Sequence, residues 1–207
     1  MRSLLILENY KGYFPMRELK YYIACSVDGF IAHKDGSFDG FLMSGEHIAG
    51  LAETFPETFP AHFRDGLGIK SENKHFDVVL MGRKTYEIGS KVGITNPYPQ
   101  MKQYVFSRSM EASPDENVEL ISTNAIAFVK SLKQENGKDI WLCGGAELAA
   151  SLFKENLIDE LILKVNPFLM GSGIPLFADV VQQTSLELSD RQIYDNGVLV
   201  LHYRIQC

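Results

Sequence analysis

Residues 139–153 read DIWLCGGAELAASLF, and the fold turns on how that stretch is interpreted. Ile140 to Cys143 is a short apolar run, the pattern of a strand covered on both faces. Gly144 and Gly145 follow at once, and Ala146 opens an alanine-rich segment whose spacing predicts a helix over 146–155. A strand that passes through two glycines into a helix leaves backbone amides unpaired at the junction. The helix dipole adds positive character to them. Such a junction suits an anion, phosphate above all.

Two junctions of the same kind lie upstream. DVVLM (77–81) reads as a buried strand and GRKTYEIGS as the helix after it, which puts Gly82, Arg83, Lys84 and Thr85 at the helix mouth. QYVFS (103–107) is a strand that ends in Ser107, Arg108 and Ser109, and NVELIS (117–122) is a further strand. In parallel α/β sheets ligands bind outside the carboxyl ends of the strands. Arg83, Lys84 and Arg108 bring positive charge to a chain whose net charge is −6. Together the three junctions describe a site for a ligand with more than one phosphate. The G-x-G-x-x-G and G-x-x-x-x-G-K-[ST] fingerprints are absent.

The remaining segments set these junctions in order. LKYYIACSV (19–27) has high β propensity and runs into the Asp28–Gly29 turn. Residues 33–45 read as a loop, EHIAGLAETF as a helix stopped by Pro56, and 61–75 as a segment that starts helical and is weakened by Gly66 and Gly68. STNAIAFVKSLKQENG predicts a helix capped by Ser122, Thr123 or Asn124, with Ile126, Val129 and Leu132 on one face and Gly137 at its end. DELILKVNPFLMG (159–171) reads as a long strand, and Asn196–Gly197 as the turn of a closing hairpin. The order implies an α/β fold, three layers around a mixed, mainly parallel central sheet with a C-terminal antiparallel hairpin.

Composition bounds the function. The chain has 207 residues, 45% of them hydrophobic, enough for one core; residues 1–15 read as an extension and 16–207 as a single domain. Net negative charge argues against nucleic acid, and no apolar run approaches the ~18 residues of a membrane span. Cys25, Cys143 and Cys207 are odd in number and far apart, which implies a reducing, cytoplasmic setting. The five histidines show no metal-ligand spacing, so no metal site is expected.

The series YYIACSVDGFIA, DVVLMGRKTYE, YVFSRS, IWLCGGAELAASLF and IDELILKVNPFLMGSGIPLF closely resembles the dihydrofolate-reductase-like superfamily. Within it the chain is most similar to the reductase, C-terminal domain of the bifunctional riboflavin-biosynthesis deaminase/reductase (RibD) and its stand-alone relatives. The likeness covers residues 19–205. The deaminase's zinc-binding His/Cys signature is missing. The resemblance implies an NADPH-dependent oxidoreductase, a ribosylaminouracil-phosphate reductase in type, and a homodimer. It places the adenosine 2′-phosphate between Gly82, Arg83, Thr85, Ser107 and Arg108, with Lys84 assisting. The pyrophosphate falls to Gly144 and Gly145, which the family often joins by a cis peptide, and to the amides of Ala146, Glu147 and Leu148. Ala24 and Ile31 would flank the nicotinamide.

By the same likeness Ser26 and Asp28, the S-x-D-G of the first strand end, would meet the substrate, with Asp28 as a polar contact or proton relay. Lys164 interrupts an apolar strand, which marks it as a proton donor or anion anchor in the cleft. Two departures from classical dihydrofolate reductases bear on the substrate. Ala146 and Glu147 replace a glycine and an arginine, so Arg83 and Arg108 must supply the charge. The acidic residue on the first long helix is also missing; Pro60–Ala61–His62 is the nearest match. Dihydrofolate reduction is therefore the second reading, and a cofactor-binding protein without catalysis the third.

Overall fold

The computed structural model describes residues 16–179 and 183–206. The expected extension, residues 1–15, lies outside them. The first strand, β1 (Leu19–Ser26), takes the centre because its side chains are apolar on both sides: Leu19, Tyr21 and Tyr22 are all buried. A two-residue side-chain period in a strand covered on both faces leaves no room for polar alternation. β3 (Phe76–Gly82) and β6 (Asp139–Gly144) repeat the pattern, with Val78, Leu80, Ile140 and Leu142 on one face and Val79, Met81 and Trp141 on the other. Burying each such side chain contributes about 1.5–3 kcal/mol.

The sheet has eight strands in the order β5-β4-β3-β6-β1-β7-β10-β9. β4 (Lys102–Phe106), β5 (Val118–Ile121) and β7 (Glu160–Asn166) run parallel to β1, β3 and β6. β9 (Leu186–Ile193) and β10 (Leu199–Ile205) close one side antiparallel. Helices α4 (Ala125–Leu132) and α5 (Ala146–Lys154) cover one face. α1 (Glu46–Thr54) and α3 (Arg83–Ser90) cover the other. The three-layer α/β/α arrangement with a C-terminal antiparallel pair is the one the segment order implies. Parallel strands send their carboxyl ends to one edge, so the tips after β4, β3, β6, β1 and β7 share that edge.

Several local readings are corrected. β7 ends at Asn166 rather than near 171, because Phe168 N–H donates back to the Asn166 carbonyl and the chain turns away. α4 stops at Leu132; Gly137 instead lets the chain pass Asp77, whose Oδ2 a Cβ there would meet at 2.6 Å. Asn124 holds the N-cap position of α4 in a left-handed conformation without a side-chain cap. The segment after Ala61 is a single short turn, α2 (Ala61–Arg64). The closing hairpin is as expected: β9 and β10 join through residues 194–198, where Asn196–Gly197 makes the turn with Gly197 at φ +85° and Tyr194 N–H donates to Val198 O. β2 (Phe30–Ala32) and β8 (Ile174–Pro175) form a small separate ladder that the sequence reading lacks.

Candidate functional site

Registry brings the three expected junctions side by side. Met81 aligns with Gly144 across β3 and β6, and Gly82 with Phe106 across β3 and β4. A Cβ on Gly82 would lie 3.1 Å from the Gly145 amide nitrogen, and one on Gly144 or Gly145 would lie 3.3 Å from Thr85 Oγ1. Glycine is thus required first by the approach of the two tips to each other. Gly144 also has φ +139°, which a side chain would strain, and the Gly144–Gly145 peptide is cis. α3 and α5 begin at these tips with no side-chain cap. The amides of Arg83, Lys84 and Thr85 and those of Ala146, Glu147 and Leu148 have no acceptor within their own helices.

Side chains around the tips supply charge of both signs. Arg83 Nη1 donates to Glu87 Oε1 at 2.7 Å, and Lys84 pairs with Glu147 at 3.5 Å across the gap between α3 and α5. Arg108 is exposed and has no hydrogen bond or ion pair among the described residues. Ser107 is buried, and its hydroxyl oxygen accepts the amides of Ser109 and Met110. It therefore shapes the loop that presents Arg108, and among the described residues its O–H is still free to donate.

The tips of β1 and β7 form the adjoining half. Ser26, expected at the substrate, is buried; its hydroxyl donates to Asp28 Oδ1 at 2.6 Å and accepts from Phe30 N–H at 3.1 Å. Asp28 also accepts from Met170 N–H (3.0 Å) and Gly171 N–H (2.7 Å). The Ser26 bond, then the loop amides, hold its carboxyl at about 2. The two residues clamp the β1 turn to the 166–171 loop. These contacts, all to the β1 turn and the 166–171 loop, make Asp28 a positioning group.

Lys164 stands between Ala24 on β1 and Val200 on β10. It points to the α1 face, as alternation from buried Ile162 requires. Its ammonium has no partner among the described residues, and burial lowers its pKa. Across from it His47, fully buried, donates Nε2–H to Leu42 O (3.0 Å) and accepts Asn196 Nδ2–H at Nδ1 (2.7 Å). Burial keeps that ring neutral, and the charge of Lys164 acts the same way. Asn166, also fully buried, accepts Leu42 N–H and thereby ties the 39–44 loop over the end of β7. Sequence reasoning missed His47, Asn166 and Asn196, since the bonds that join them to the rest of the cleft, Asn166 to Leu42 and Asn196 to His47, span more than 100 positions.

Other candidates fall away from this edge. α2, which carries His62, hangs by Ala61 N–H on Pro97 O, beside the chain entering β4. His62 is therefore remote from the tips. A cavity of about 620 Å³ also opens at the opposite edge, among Arg17, Asp77, Gln103 and Asn117. Burial pushes the Cys143 thiol up to about 12, which the Tyr98 hydrogen bond offsets only in part, so the thiolate is disfavoured there. Among the described residues no cluster of three or more His, Cys, Asp or Glu could hold a metal, and no helix is long and apolar enough to cross a membrane.

A mainly parallel sheet with this strand order and glycine-lined tips at its carboxyl edge defines the dihydrofolate-reductase-like class. Within it the chain belongs to the RibD C-terminal domain family, whose model matches residues 17–200. It is 37% identical to the uncharacterized protein YwjB of Bacillus subtilis (strain 168), over 90% of this chain and 97% of YwjB. Its fold matches a Thermotoga maritima diaminohydroxyphosphoribosylaminopyrimidine deaminase/5-amino-6-(5-phosphoribosylamino)uracil reductase at TM-score 0.62 and 14% identity, over 92% of this chain and 57% of that one. A pyrimidine reductase-like protein of Corynebacterium diphtheriae matches at TM-score 0.57 and 17% identity, over 92% of each chain.

Proposed function

We propose that the protein is an NADPH-dependent reductase of a small heterocycle, of the 5-amino-6-(5-phosphoribosylamino)uracil reductase type. Family membership supports the reaction class. The observation that carries the cofactor is the contact of three anion-receiving tips along β4, β3 and β6, flanked by Arg83, Lys84 and Arg108. The donors suit the group: paired helix N-termini suit a diphosphate, and two guanidinium groups suit a 2′-phosphate. In this reading the amides of Ala146, Glu147 and Leu148 hold the diphosphate. Arg83 and Arg108 hold the 2′-phosphate, and Ala24 and Ile31 border the nicotinamide.

NADPH, when bound, supplies the hydride. The chain's part is orientation and a proton. Lys164 is the proton donor, because its depressed pKa eases release from Nζ and it lies one strand across from Ala24. Hydride at one atom of a C=N or C=O bond and this proton at the other complete a two-electron reduction. The lysine then recovers a proton from water at the open side of the cleft. Asp28 keeps the 166–171 loop in place meanwhile. We further assign a homodimer, supported by the edge strand β9, on which Leu186, Leu188 and Ile193 are exposed.

A screen of acceptors for loss of NADPH absorbance tests the assignment. Turnover of ribosylaminouracil phosphate or a related pyrimidine is expected. Turnover of dihydrofolate alone would refute the substrate class, and NADPH binding without oxidation by any acceptor would refute the reductase.

A further inference from the structure

We propose that Glu87 sets how strongly the site prefers a 2′-phosphorylated dinucleotide, by competing with the phosphate for Arg83. The inference rests on the NADPH reading above and concerns a residue which that reading leaves out.

The pairing of Arg83 with Glu87 is close, 2.7 Å, and sheltered: the two side chains are 37% and 25% exposed. Helix stability does not account for it. Arg83 opens α3, where a cation opposes the helix dipole, and the helix has no acid in its first turn. Along a helix an acid before a base is the favoured order, and here the arginine comes first. The pair therefore answers the charge of Arg83 rather than the needs of α3.

A phosphate dianion engages a guanidinium through two parallel N–H groups. Glu87 already occupies Nη1, so phosphate and carboxylate would crowd one cation as like charges. The second oxygen of Glu87 lies 3.9 Å from Lys91 Nζ. Glu87 thus keeps a counter-charge when Arg83 turns to the ligand, which makes the exchange feasible. Glu147 differs. It lies in the first turn of α5, whose amides hold the diphosphate in the reading above, and its partner Lys84 is 74% exposed. NADPH and NADH share that diphosphate.

Isothermal titration of the full chain with NADPH and with NADH separates these roles, with circular dichroism to check folding. Glu87→Gln should tighten NADPH by about three- to tenfold and leave NADH within about twofold, raising the preference ratio. Glu147→Gln should shift both cofactors alike. Weaker NADPH binding in Glu87→Gln would mean that Glu87 orients Arg83, and an unchanged ratio would mean that it does nothing; either result overturns the proposal. Arg83→Gln tells the two readings apart. If it leaves the NADPH/NADH ratio unmoved, the 2′-phosphate assignment fails and Glu87 fails with it. If it lowers the ratio while Glu87→Gln does not raise it, only the role of Glu87 is refuted.

Discussion

Replacing Lys164 with methionine should make the protein more stable and nearly inactive. Methionine keeps an apolar stem on the β7 face beside Ala24 and Val200. It removes an ammonium that has no partner among the described residues and whose pKa burial lowers. Isolated charges taken out of water cost several kcal/mol each when fully desolvated. Lys164 is only partly covered, so the relief is about 1 kcal/mol, which raises Tm by about 2–4 °C in a chain of this size. The sign follows from linkage. A lysine whose folded pKa lies below its unfolded value destabilises the fold fully below that folded pKa, and the cost fades as pH rises from there towards 10.5. The loss of a positioned acid should lower kcat by about 10²–10⁴. Lys164→Arg, which keeps charge but cannot release a proton near neutrality, should be almost as slow. Calorimetry and steady-state kinetics with the best acceptor read both effects. A lower Tm together with kcat within twofold of wild type would refute the reasoning; an active Lys164→Arg variant would show an anion anchor in place of a donor.

Gly144→Ala should cost about 1–3 kcal/mol and weaken NADPH and NADH alike, because φ +139° strains a side chain and its Cβ would lie 3.3 Å from Thr85 Oγ1; denaturant unfolding and titration check this. Glu160 is held at about 2 from 4.5: burial pushes it up, but hydrogen bonds from His202 and Lys20 and their charges outweigh that. Its contribution, on the order of 3 kcal/mol, is present above pH 4.5 and lost as pH falls towards 2, so Glu160→Gln should flatten the acid limb of a stability–pH curve. Ile193→Lys on the exposed β9 edge should convert a dimer to monomers in light scattering, with the fold intact by circular dichroism.

The parallel core and its tips were legible because each strand announces itself locally: an apolar run, then glycine, then helical spacing. Gly82, Gly144 and the cations beside them follow from that pattern alone. What was not legible depends on partners distant in the chain. The seating of the 39–44 loop on Asn166 depends on where Leu42 lies, and the clamp by Asp28 depends on Met170 and Gly171. The β2–β8 ladder pairs two short segments with no periodicity to mark them. Ser107 falls at the ligand position in the sequence, and what the sequence does not show is that its oxygen also shapes the loop by accepting from the Ser109 and Met110 amides. Arg83 stands out in the sequence by its charge, and the i,i+4 spacing of Glu87 alone does not show that the two side chains pair at 2.7 Å.

A crystal structure with NADPH bound is the most direct test. The adenosine 2′-phosphate should lie between Arg83 and Arg108, the diphosphate against Gly144 and Gly145 at the start of α5, and the nicotinamide beside Ala24 within reach of Lys164. Density for the cofactor at the opposite edge, among Arg17, Asp77 and Gln103, or a 2′-phosphate turned to open solvent, would contradict the account.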